Sequence, residues 1–226
     1  MSDVARVVVL ASGSGSNFQA ILDAVAAGAL RAQVVGLVVD RAGAGAVGRA
    51  QAADVAVLHA PFSPFKELGR AAYDAALAER VAALRPDFVV LAGWLRILGP
   101  AFLDRFPGRV LNLHPALPGE FAGLHGIRRA WDERQTRRHS GVMVHLAVPE
   151  VDAGPVLGRA VVPLRPEDAL DAFEARMHKA EHRLLVAVLQ RCVTDGVGAL
   201  RAEGGLRHPP ADASTASPDP SPSPGV

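Results

Sequence analysis

Short apolar runs alternate with amphipathic stretches through the first half of the chain. Residues 6–11 (RVVVLA) are apolar and β-branched, the composition of a buried strand. Serine and glycine interrupt the run over 12–17. Phe18, Ile21, Leu22 and Val25 then recur at helical spacing over 18–27, and Gly28 is a stop signal. The alternation continues with a strand over 33–39, a helix over 44–54 and a short strand over 56–59. A long alanine-rich helix over 66–84 leads to strands over 87–92 (DFVVLA) and 109–113. Continuous apolar strands separated by helices are buried on both faces, which predicts an α/β fold with a mostly parallel central sheet and helices on both faces.

The pattern changes after Leu113. Residues 141–148 and 158–163 read as strands with no helix between them, so antiparallel strands are expected toward the C-terminal half. Residues 168–193 form a long amphipathic helix with Phe173, Met177, Leu184, Leu185 and Val188 on its apolar side. The end of the chain, HPPADASTASPDPSPSPGV, is rich in proline and serine and poor in large apolar residues. It cannot bury enough surface to offset its ordering entropy. The expected organisation is one domain over 1–206 and a disordered tail over 207–226.

Composition narrows the function classes. The chain has 226 residues, half of them apolar, enough for one sizeable core. The 24 Lys and Arg nearly balance the 23 Asp and Glu, so no global basic field recruits nucleic acid. Cys192 is the sole cysteine; it excludes an internal disulfide or a cysteine zinc site and reads as a core residue. No apolar stretch is long enough for a membrane helix, and the first strand begins without a leader pattern, so a cytoplasmic protein is expected.

Two segments carry candidate chemistry. Ser12-Gly13-Ser14-Gly15-Ser16-Asn17 lies between a strand and a helix, where glycines admit a ligand and free helix N–H groups favour an anion. The loop suits a phosphate, and equally a plain turn with a Ser/Asn cap. It is a poor dinucleotide motif, because Phe18 stands at the third glycine position, although Asp40 is spaced to reach a ribose. Asn112 and His114, two apart at a strand end before Pro115, project to one face. An amide and an imidazole together suit acyl transfer to an amine, where an oxyanion develops and protons move. Stabilising an imidazolium at His114 requires a carboxylate, and Asp152 in D-A-G-P is the candidate. The other histidines lack a metal-binding spacing, so no metal is expected; His125 and His145 read as buried scaffold.

Four segments in this order, SGSGSNFQAI (12–21), LAGWLRIL (91–98), NLHP (112–115) and DAGP (152–155), closely resemble the phosphoribosylglycinamide formyltransferase family. The resemblance covers about residues 5–195. It implies a Rossmann-like formyltransferase fold and transfer of a formyl group from 10-formyltetrahydrofolate to glycinamide ribonucleotide. It assigns Asn112, His114 and Asp152 to catalysis and Gly15, Ser16, Asn17 and Glu181 to the nucleotide substrate. It assigns Arg70, Leu95, Arg96, Ile97, Leu98 and Asn112 to the folate. It implies small-molecule partners, no nucleic acid and no membrane, and it allows a homodimer. The loop 114–123 departs from the family pattern at Gly119 and Glu120. Met143 replaces a small hydroxyl residue, His178 a lysine, and Gly158 and Arg159 an apolar residue and a glutamine. A methionyl-tRNA formyltransferase-like enzyme, a formyltetrahydrofolate hydrolase-like enzyme and a non-catalytic nucleotide-binding module remain the alternatives. A further C-terminal domain and more basic character are expected of the first, and an N-terminal regulatory domain of the second.

Overall fold

A computed structural model describes residues 4–208. The chain runs β1 (Ala5–Leu10), α1 (Ser16–Ala26), β2 (Ala32–Val39), α2 (Ala46–Ala52), β3 (Val57–His59), α3 (Gly69–Ala82) and β4 (Phe88–Leu91). It continues through α4 (Pro100–Leu103), β5 (Val110–His114), α5 (Gly126–Asp132), β6 (His139–Leu146), β7 (Val156–Pro163), α6 (Leu170–Ala202) and β8 (Leu206–His208). One eight-stranded sheet has the order β3-β2-β1-β4-β5-β6-β7-β8. The first five strands in that order are parallel, and β6 runs antiparallel to both β5 and β7.

Both sheet faces are covered, as the continuous apolar strands predict. Val7 and Val9 of β1 pack with α1, α2 and α6 on one face; Val8 and Leu10 pack with α3 and α4 on the other. After β3 the chain crosses back to place β4 on the opposite side of β1. The order therefore reverses between β1 and β4, and the crevice outside their carboxyl ends is where α/β sheets bind ligands.

Several elements differ from the sequence expectation. The helix read over 66–84 begins at Gly69, because a 3₁₀ turn occupies Ser63–Phe65. The helix expected to end at Val193 runs on to Ala202, with Gly196 breaking helical geometry inside it. The strands expected over 141–148 and 158–163 each start two residues earlier. Helix α4, of four residues, is too short for helical periodicity to show, and α5 is absent from the sequence expectation. Strand β8 is defined by parallel pairing with β7 rather than by any pattern of its own. It places Arg207 and His208, expected in the tail, in the sheet; the rest of the expected tail lies outside the described residues. Cys192 is buried in α6, where burial pushes its thiol pKa up to about 12. No helix among the described residues is long and apolar enough to cross a membrane.

Gly158 has a packing reason. A Cβ at this β7 position would lie 2.5 Å from Val188 Cγ2 and 3.2 Å from Leu184 Cδ1 of α6. Glycine lets the long helix approach the sheet edge. Gly158→Val is therefore expected to destabilise the fold by about 1–3 kcal/mol through overpacking. Chemical denaturation checks this, and an unchanged midpoint would show that α6 is free to move away.

Candidate active site

Asn112 and His114 occupy the end of β5, and Asp152 reaches them from the turn after β6. That turn is built for close approach. A Cβ on Gly154 would sit 1.8 Å from the Leu146 carbonyl oxygen, so only glycine lets the chain fold back on β6. Asp152 itself takes a left-handed backbone, φ 53°.

The carboxylate is shared among four groups. Asp152 Oδ1 accepts from Asn112 Nδ2 at 3.1 Å and lies 3.5 Å from His145 Nε2. Its Oδ2 accepts from the Gly123 N–H at 2.8 Å and lies 3.3 Å from His114 Nδ1. Asn112 Nδ2 also contacts His145 Nε2 at 3.0 Å, so both its amide hydrogens are engaged. His145 Nδ1 donates to the Leu146 carbonyl at 2.9 Å, which leaves Nε2 as an acceptor. The buried, hydrogen-bonded His145 is thus the scaffold residue expected, but it also completes this cluster. Its register opposite Asn112 in the β5–β6 pair is the signal, and strand register is hidden in the sequence. His125, expected as buried scaffold, is instead exposed beside the cleft with a left-handed backbone just before α5.

Charge within the cluster departs from the expected resting imidazolium. Burial lowers the pKa of His114 most. The Asp152 carboxylate and backbone hydrogen bonding at Glu120 and Phe121 oppose this. The net direction is downward from 6.5, so His114 rests neutral near pH 7. For Asp152, burial acts upward, but its hydrogen-bonding neighbours, the Gly123 N–H among them, outweigh it and hold the carboxyl below its usual pKa. An ionised Asp152 can only accept, so the His114 proton belongs on Nδ1. His114 Nε2 is buried and makes no hydrogen bond.

This cluster forms part of the wall of a cleft of about 360 Å³. The glycine loop borders the cleft, with Gly15 at φ 76° as the left-handed residue before α1. A Cβ there would lie 2.7 Å from Ala46, so the glycine lets α2 pack beneath the loop. Arg49 of α2 donates to the Ser14 carbonyl at 2.9 Å. Buried Glu181 of α6 accepts from Asn17 Nδ2 at 3.3 Å and contacts His178 Nδ1 at 2.7 Å. That contact, opposed by burial, raises the pKa of His178.

Comparison with known proteins agrees with this geometry. A family model described as formyl transferase matches residues 5–189. The phosphoribosylglycinamide formyltransferase of Schizosaccharomyces pombe is 41% identical over 204 residues, covering 85% of this chain and 99% of its own length. That of Escherichia coli K12 is 39% identical over 184 residues, covering 81% and 85% respectively. The crystal structure of glycinamide ribonucleotide transformylase 1 from Symbiobacterium toebii superimposes with a TM-score of 0.81 at 36% identity, covering 86% of this chain and 90% of its own. The chain belongs to the phosphoribosylglycinamide formyltransferase family.

The residues that the family motifs single out fall mostly in one place. Gly15, Ser16, Asn17, Leu95, Arg96, Ile97, Leu98, Asn112, His114, Asp152 and Glu181 all border the cleft. Arg70 stands apart, exposed in the first turn of α3 and outside the cleft lining. Leu124 and Val151, which the motifs do not mark, add exposed apolar surface at the cleft. Of the departures from the family pattern, Met143 is buried in β6 opposite His114. Glu120 pairs with Arg137 at 3.0 Å and so has a local partner.

NMR titration of His114 tests the electrostatics. Its midpoint is expected below 6.5. In Asp152→Asn it is expected to fall further, because the one nearby carboxylate that raises it is gone. A midpoint above 6.5, or an upward shift in the variant, would contradict the assignment.

Proposed function

We propose that the protein transfers the formyl group of 10-formyltetrahydrofolate to the primary amine of glycinamide ribonucleotide, a step of purine biosynthesis. One observation carries the reading: an amide, an imidazole and a carboxylate form a single bonded cluster in the wall of a chemically divided cleft. Toward α1, the glycine loop and the helix N-terminus offer backbone N–H groups to a phosphate. The Glu181 carboxylate and the unbonded, buried Asn17 Oδ1 beside them offer acceptors to amine and hydroxyl groups. Toward the loop after β4, half-exposed Leu95 and Ile97 offer apolar surface to a flat heteroaromatic ring. A phosphorylated amine and a folate can therefore lie end to end across the cluster.

The roles follow from the chemistry of each group. His114 takes up the amine proton as the new carbon–nitrogen bond forms. Asp152 stabilises the imidazolium that results, which places the protonated histidine in the reaction rather than at rest. Asn112 gives up its bond to His145 Nε2 and donates to the formyl oxygen as negative charge grows there. The charged acceptor favours that exchange. His114 then passes its proton to the folate nitrogen as the bond from that nitrogen to the formyl carbon breaks. The amine loses one hydrogen, the folate nitrogen gains one, and no further reactant is needed.

The test is turnover of purified protein with both substrates, following release of tetrahydrofolate. His114→Asn is expected to lower kcat by about 10²–10⁴-fold. Its calorimetric affinity for glycinamide ribonucleotide should stay near that of the unmodified protein. Full activity in the variant, or none in the unmodified protein, would contradict the reading.

A further inference from the structure

Asp40 stands at the end of β2 with its side chain only 2% exposed, and nothing in the chemistry above uses it. Its spacing from the glycine loop is that of a ribose-binding carboxylate, yet its Oδ2 lies 3.1 Å from Arg96 Nε. The Arg96 guanidinium also lies over the faces of Phe62 and Tyr73, at 5.2 and 5.9 Å from the ring centroids. Arg41 approaches Asp40 Oδ1 at 3.6 Å from the outside. Arg96 sits between Leu95 and Ile97, which are 50% and 53% exposed at the cleft.

The segment from Gly93 to Gly99 has no regular structure of its own. Ladder hydrogen bonds therefore do not set its path, and other contacts must hold two exposed apolar side chains in place. The Leu95 N–H donates to Ser12 Oγ at 3.1 Å, and the Gly99 N–H donates to Asp74 Oδ2 at 2.8 Å. Trp94 and Leu98 of the loop are buried in the core, and between them the Asp40–Arg96 pair adds an ionic contact at the segment that carries Leu95 and Ile97. Arginine suits the role, because its planar guanidinium can stack on aromatic rings while it pairs with a carboxylate.

We infer that Asp40 is a positioning residue for the folate donor, acting through Arg96 to hold Leu95 and Ile97 at the cleft. The inference rests on the proposed assignment of this loop to the folate. Donor and nucleotide KM, kcat and the calorimetric Kd for tetrahydrofolate are measured for the unmodified protein, Asp40→Asn, Arg96→Lys and the double variant. Each single change is expected to raise the donor KM and the tetrahydrofolate Kd about tenfold, as a displaced binding surface does. In Asp40→Asn the nucleotide KM and the kcat at saturating donor should stay near their original values. The double variant should lose no more than the larger single loss, because the two residues act as one unit.

A role confined to folding would lower the thermal midpoint and the active fraction without this split between substrates. If Asp40→Asn does not fold, Arg96→Lys with donor KM and tetrahydrofolate affinity unchanged still overturns the inference. An unchanged donor KM in a folded Asp40→Asn, or equal losses for both substrates, overturns it as well. An unmodified protein that neither turns over nor binds tetrahydrofolate overturns the functional reading beneath it.

Discussion

A carboxylate taken out of water must be surrounded by donors, and the site is organised around meeting that requirement for Asp152. Its partners come from β5, β6 and the loop before α5, so a single group ties three separated stretches of chain together. The glycine at 154 permits the turn, the left-handed backbone at 152 aims the side chain, and the Gly123 N–H ties the 115–125 loop to it. Without the carboxylate, Asn112 loses one of its two bonded acceptors and His114 loses the counter-charge that favours its protonated form. Breaking such a shared network leaves several buried polar groups unsatisfied at once, which costs more than any one bond contributes.

The same arrangement sets the acid–base chemistry. Burial keeps His114 neutral, while the Asp152 carboxylate beside it favours the charged ring. A base that rests deprotonated can accept a proton, and a nearby fixed anion lowers the cost of holding it. The cleft divides its other tasks between neighbouring strand ends. The loop after β1 presents backbone donors, and the loop after β4 presents apolar side chains, on either side of the point where strand order reverses. Ser12 joins the two loops through its hydroxyl.

Much of this was legible in the sequence because it depends on local pattern. Strands β1, β2, β4 and β5 are continuous apolar runs, and the alternation of Val7, Val8, Val9 and Leu10 between two cores follows from strand geometry. The pairing of Asn112 with His114 follows from their spacing on one strand, and Asp152 stood out because only a tight turn needs its glycine and proline neighbours. What was hidden depends on three-dimensional partners. His145 joins the cluster through antiparallel register, β8 exists through pairing with β7, and Asp40 faces an arginine 56 positions away. The resting charge of His114 was hidden as well, because the burial that opposes its protonation arises only once the chain has folded. The four-residue α4 lies below the length at which helical periodicity is visible.

The central claim is that burial keeps His114 a neutral imidazole while Asp152 fixes its hydrogen on Nδ1. Nitrogen-15 NMR of the histidine side chains near pH 7 measures this directly. The account predicts a protonated Nδ1 and an unprotonated Nε2 at His114, with the signature of the neutral ring. A hydrogen on Nε2 alone, or on both nitrogens, would contradict it.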